Sequence, residues 1–220
     1  MLRAGLAAAL AALLVSGCAP EAPDYQSVWS TPSTPPPTAT HGADVPLSQF
    51  LEDSGVVGQP VSPEMLDDLT VSMPTPQGWQ PYQNTNLAPG TRMIAKGDTY
   101  PTAMLMVFEL DGDFDVPAAL AHAENDAERS KNFRMLNSST EDFNGFPSTM
   151  IEGSYDLADA RMHTYNRVVI ATGAPPDRQR YLVQFTVTSY ADQAVAEAPD
   201  METIIDGFTV EVPTGEPAPR

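Results

Sequence analysis

Nine consecutive residues, Thr102 to Leu110, read Thr-Ala-Met-Leu-Met-Val-Phe-Glu-Leu, and only the threonine and the glutamate are polar. A strand with one wet face alternates apolar and polar side chains, whereas an unbroken apolar run must be covered on both sides. The segment is therefore expected to be a central strand of a sheet that carries a layer on each face. Few architectures satisfy that demand, and the flanking sequence narrows them further.

Asp111-Gly112-Asp113-Phe114-Asp115 forms a turn, and Asp115 followed by Pro117 is a good start for a helix. Val116, Leu120, Ala123 and Ala127 then share one helical stripe running to about Ser130, with Glu124, Asp126 and Glu128 on the opposite side. Further strands are expected at Leu69 to Met73, Arg92 to Lys96, Ser148 to Tyr155, Met162 to Thr172 and Arg180 to Ser189. In the last, Tyr181, Val183, Phe185 and Val187 share one face, and Gln184, Thr186 and Thr188 the other. Ala174-Pro175-Pro176-Asp177 joins the last two as an antiparallel pair. Leu47, Phe50 and Leu51 have helical spacing. Ala194, Ala198, Met201 and Ile205 give a second long helix, kinked or restarted at Pro199 and capped by Gly207, before a closing strand at Phe208 to Val212. The pattern predicts a single α+β domain: a mostly antiparallel sheet packed against helices.

The N-terminal part of the chain has a different character. Arg3 precedes an Ala/Leu-rich run from Ala4 to Val15, and Ser16-Gly17 leads to the only cysteine, Cys18. A charged start, a short apolar run and small residues make a secretory signal over 1–17, too short to span a bilayer as a helix. A cysteine placed there resembles a bacterial lipobox, which predicts lipidation of Cys18 after cleavage and a location on the extracytoplasmic face of the cell membrane. Residues 18–45 are rich in Pro, Ser, Thr and Ala, the composition of an extended spacer. The globular domain is expected over 46–213, with a frayed tail at 214–220.

Charge excludes some partners. The chain carries 11 basic and 29 acidic residues, and loss of Arg3 with the signal takes its net charge from −18 to −19. Such a chain lacks the cationic footprint that nucleic acid requires, and anionic headgroups should repel the body of the domain. With Cys18 modified, no disulfide, thiolate nucleophile or cysteine metal site remains, and the core alone must hold the fold.

Signals for catalysis are thin. No G-x-S-x-G elbow occurs, and the domain holds two histidines, His122 and His163. Asp111, Asp113 and Asp115 begin like a calcium loop, but the glycine and glutamate required at positions six and twelve are Val116 and His122. The expectation is a non-enzymatic protein without metal or cofactor. Seven methionines (Met73, Met93, Met104, Met106, Met135, Met150 and Met162) lie in or beside predicted strands. Flexible thioethers fill ordinary cores, and they also line adaptable apolar sites. On the second reading Met104 and Met106 receive an acyl chain, while Trp79 and Tyr82 stack on a sugar at the mouth.

Several segments, taken in order, resemble the LpqN/LpqT lipoproteins of mycobacteria. They are Val71-Ser72-Met73-Pro74 through Gly78-Trp79, Leu110 to Asp115, Asn144-Gly145-Phe146-Pro147-Ser148 with Glu152-Gly153-Ser154-Tyr155, and Ile205-Asp206-Gly207-Phe208. The resemblance spans about Leu69 to Val212. It implies a PsbP-like α/β/α sandwich in a cell-envelope lipoprotein that binds or chaperones envelope glycolipids such as acylated trehalose. A module that contacts envelope or host proteins is the alternative, and an esterase-like enzyme a third.

Overall fold

The structure is a computed structural model that describes residues 45–83 and 86–213. The expected signal and tail, and all of the spacer but Val45, with Cys18 in it, lie outside the described residues. Strand β5 (Thr102–Asp111) is the central apolar run, and only Glu109 and Asp111 escape full burial. Its side chains alternate between two cores: Ala103, Leu105 and Val107 enter one, Met104, Met106, Phe108 and Leu110 the other. One side of β5 pairs antiparallel with β9 (Arg180–Tyr190). Its other side is shared end to end by β4 (Arg92–Ala95), opposite Thr102 to Leu105, and β1 (Val57–Val61), opposite Val107 to Asp111.

From β9 the sheet continues antiparallel through β8 (Ala160–Thr172) and β7 (Ser148–Leu157) to β6 (Arg134–Ser139), while the two-residue β3 (Gln80–Pro81) closes the opposite edge beyond β4. Three of these strands, β1, β3 and β6, are additions to the sequence reading. β1 contains Gly58 and Pro60, and it tolerates them as an edge strand that, among the described residues, has β5 as its one hydrogen-bonded neighbour. The expected strands β2 (Thr70–Ser72) and β10 (Thr209–Glu211) are present but pair with each other, outside the main sheet. Asn144 and Gly145, at φ 53° and 84°, supply the left-handed pair of a two-residue turn. Phe143 and Phe146 exchange both backbone hydrogen bonds around it.

Helix α2 (Val116–Glu128) opens as expected, with the Asp115 carboxylate accepting from the Ala118 N–H at 2.9 Å. Ala119 and Ala123 are its buried residues, and Val116 and Leu120 pack at the margin of the core. Two of the acids expected on its wet side are turned inward. Glu124 accepts from the Thr149 hydroxyl at 2.6 Å, and Asp126 from the Leu47 N–H at 2.9 Å. With α1 (Leu47–Asp53), α2 covers one sheet face. Helix α3 (Ala194–Asp206) and the β2–β10 pair cover the other. α3 runs uninterrupted through Pro199, and the carbonyl that proline leaves without a donor belongs to Val195, which is 90% exposed. Its core contacts are Met201 and Ile204, so the buried stripe is shifted from the Ala194, Ala198, Met201, Ile205 set. The result is a single α+β domain with helices on both faces of an antiparallel sheet.

Candidate functional site

The α1–α2 face of the sheet is incompletely covered, and there a groove of about 560 Å³ opens. Its floor follows from strand register. Met104, Thr186 and Asn166 are partners across β5, β9 and β8, and so are Met106, Gln184 and Val168 on the next rung. Partners across an antiparallel ladder share a face. The floor therefore passes from two thioethers on β5 to a polar centre on β9 and β8. Ala123, Asp126 and Ala127 of α2 overhang it, Pro46 to Ser48 form one wall, and Lys131 and Tyr155 stand at the far end.

The polar centre is partly self-satisfied. Thr186 Oγ1 donates to Asn166 Oδ1 at 3.0 Å, and Asn166 Nδ2 donates to Thr164 Oγ1 at 3.2 Å. Gln184 Oε1 is the exception, a buried acceptor without a hydrogen-bond partner among the described residues. Buried polar atoms in folded proteins are nearly always paired, so an unmet amide oxygen beside two methionines marks this floor as unfinished. Burial pushes the Tyr155 hydroxyl above its usual range and keeps it a neutral donor. Burial also raises Asp126, opposed by the Leu47 N–H and by the charge of Arg129.

One wall of the groove is pinned to its roof. His122 Nδ1 lies 2.7 Å from the Val45 carbonyl, an acceptor, so this nitrogen carries the proton. The His122 ring stacks on Phe50 with centroids 4.6 Å apart. His122 thus fastens α1 to α2. His163 is on the other sheet face, with Nε2 2.8 Å from Glu152 Oε1. Its cross-strand partner Ser189 is fully buried. Asp115 serves as the α2 cap, and among the described residues no group of three or more His, Cys, Asp or Glu side chains is placed to hold a metal.

Of the four expected ligand contacts, Met104 and Met106 are on the groove floor. Trp79 is 4% exposed in the opposite core with Met73, Met201 and Phe208, and so is separate from the groove. Its Nε1–H donates to Asp200 Oδ2 at 3.1 Å, and Lys96 Nζ reaches the same carboxylate at 2.8 Å. The indole is a core residue that ties α3 to the sheet. Tyr82 packs half-buried at the margin of the Met104 core but does not line the groove. The site residues that sequence reasoning passed over are Thr164, Asn166, Gln184 and Thr186. A polar face on a strand paired along both sides was the available signal.

An α/β/α sandwich with a half-open groove of mixed polarity defines the class of domain. The sequence profile of the Lpp-LpqN family, described as probable lipoprotein LpqN, matches residues 43–211, and the chain belongs to that family. It is 56% identical over 210 residues to lipoprotein LpqT of Mycobacterium tuberculosis strain H37Rv, covering 95% of this chain and 93% of that protein. To LpqT of Mycobacterium leprae it is 51% identical over 213 residues, covering 95% and 97%. The crystal structure of LpqN, described as involved in cell envelope biogenesis of M. tuberculosis, superposes with a TM-score of 0.65 at 18% identity, over 78% of this chain and all of that one.

Proposed function

We propose that this protein is a lipid-anchored, non-enzymatic component of the cell envelope that holds an amphiphilic envelope lipid, such as an acylated trehalose, in the α1–α2 groove. The observation that carries the reading is the pair of floor rungs, Met104-Thr186-Asn166 and Met106-Gln184-Val168, with the unmet Gln184 oxygen between them. A headgroup hydroxyl suits the polar centre, and the first methylenes of a chain suit the thioethers. A volume of about 560 Å³ is in the range of small-molecule sites. Each buried methylene contributes about 0.8 kcal/mol, so a short stretch of chain yields useful affinity beyond the cost of association. Placement in the envelope is supported by the lipoprotein relatives and by the lipobox-like sequence at Cys18. The test is thermal unfolding with ligand: acylated trehalose raises Tm, and trehalose alone does not. Equal shifts with both, or none with either, remove the reading.

A further inference from the structure

In a chain with 29 acidic residues, the twelve from Arg129 to Thr140 contain none, yet hold Arg129, Lys131 and Arg134. The structure places this stretch at one corner, running from the end of α2 into β6, the outermost strand of the sheet. Five of the six β6 residues are exposed, including Met135 at 46% and Leu136 at 57%. A bulge there sets Met135 opposite Gly153 and leaves Leu136 without a partner, so two large apolar side chains stand next to each other in water. Phe133 packs its ring over Gly153, where a Cβ would collide with it. Lys131 and Arg134 are thus interspersed with Phe133, Met135 and Leu136.

The acids nearest this corner are already occupied. Arg161 binds Asp156 at 2.8 Å while also donating to the Asn132 carbonyl, and Asn132 Nδ2 donates to the same carboxylate at 2.6 Å. Asp126 faces Arg129 at 3.8 Å and accepts from Leu47, and Glu152 holds His163. Glu128, Asp159 and the exposed Glu141 and Asp142, which follow β6, remain at the margin. Arg129, Ser130 and Lys131 also line the groove, so the basic and apolar corner continues into its mouth.

We propose that Arg129 to Ser139 is the surface by which the domain rests on a lipid layer with anionic headgroups, turning the groove mouth toward it. A basic segment carrying exposed apolar side chains is the combination that settles at a membrane interface. The net charge of −18 repels the rest of the domain from the same layer, which selects this one orientation. On this proposal the general repulsion between the domain and anionic headgroups gives way to attraction at this one corner.

The inference deepens the lipid-binding reading and rests on it for its purpose, but its test needs no glycolipid, so the two fail separately. The full-length protein is reconstituted in phosphatidylcholine vesicles, with or without phosphatidylglycerol, and amide hydrogen exchange is followed. Exchange across 131–139 slows when phosphatidylglycerol is present, and that around Val195 does not change. Lys131→Gln with Arg134→Gln lowers the lipid-dependent protection about 25-fold, at about fivefold per cation, and Met135→Ser with Leu136→Ser lowers it as well. Unchanged exchange in β9 confirms that these surface variants fold. Protection without dependence on phosphatidylglycerol overturns the proposal, as does a double-glutamine variant that docks normally. Protection that grows with protein concentration in either vesicle also overturns it, since it marks a second copy pairing along β6.

Discussion

The Asp126 carboxylate accepts the Leu47 backbone N–H at 2.9 Å, a bond between residues 79 apart in sequence that joins the roof of the groove to its wall. Burial raises the pKa of this carboxyl in the folded state. A raised acid works against folding once it ionises, so its contribution is most favourable at low pH and is lost as pH rises through the folded value. Asp126→Asn keeps an acceptor for Leu47 and removes the desolvated charge. The variant should match or exceed the parent in urea unfolding at neutral pH, and lose that advantage as pH approaches the ordinary carboxylate value of about 4. Asp126→Leu strands the Leu47 N–H and should cost about 1–3 kcal/mol at neutral pH.

Gln184 sets stability against binding. Its Oε1 is buried without a partner, a condition that costs about 1–3 kcal/mol. Gln184→Met, close in volume, should raise the midpoint of denaturation while abolishing the thermal shift produced by acylated trehalose. A variant that is more stable and still binds would separate this amide from the site.

Trp79 should behave as a structural residue. Trp79→Phe keeps most of the packing against Met73 and Met201 and loses the hydrogen bond to Asp200, at a cost of about 1–2 kcal/mol. Lys96 and the Trp79 N–H together hold the Asp200 carboxyl below its usual range. This contribution is present above the unfolded value and fades as pH falls through the folded one. The variant should therefore lose less of its stability on acidification than the parent. Affinity for acylated trehalose, followed by thermal shift, should be unchanged.

Gly153 permits the Phe133 ring to lie against β7. Gly153→Ala should force that ring aside at a cost of about 1–3 kcal/mol. Amide exchange should rise first in β6, which among the described residues pairs with β7 alone. Faster exchange spread evenly over the sheet would mean that the ring serves the whole core instead of this edge.

The interior was readable from sequence because burial on two faces leaves an unambiguous mark. The apolar run of β5, the alternation of β9 and the Asp115 cap follow from composition and spacing. The edges carried no such mark. β1 interrupts itself with Gly58 and Pro60, and β6 is exposed on both faces, so neither shows a two-residue period. Glu124 and Asp126 look like surface acids on a helical wheel. Only the fold reveals that Thr149 and Leu47 offer them donors. Trp79 follows a turn, where binding residues concentrate, but it is drawn inward because Asp200 on a distant helix satisfies its N–H. The groove floor depends on register between β5, β9 and β8, and register is a property of the paired strands rather than of any one of them.

Since β4 and β1 divide one side of β5 between them, the segment from Pro46 to Val61, which supplies one wall of the groove, is hydrogen-bonded to the sheet through the five register pairs of β1 and packed onto it through the buried Leu47, Leu51 and Val56. Lifting it away would bare those three side chains and part the Leu47 N–H from Asp126 on α2. The wall and the interior thus share side chains, and a bulkier guest can be admitted only at the expense of close-packed apolar contacts.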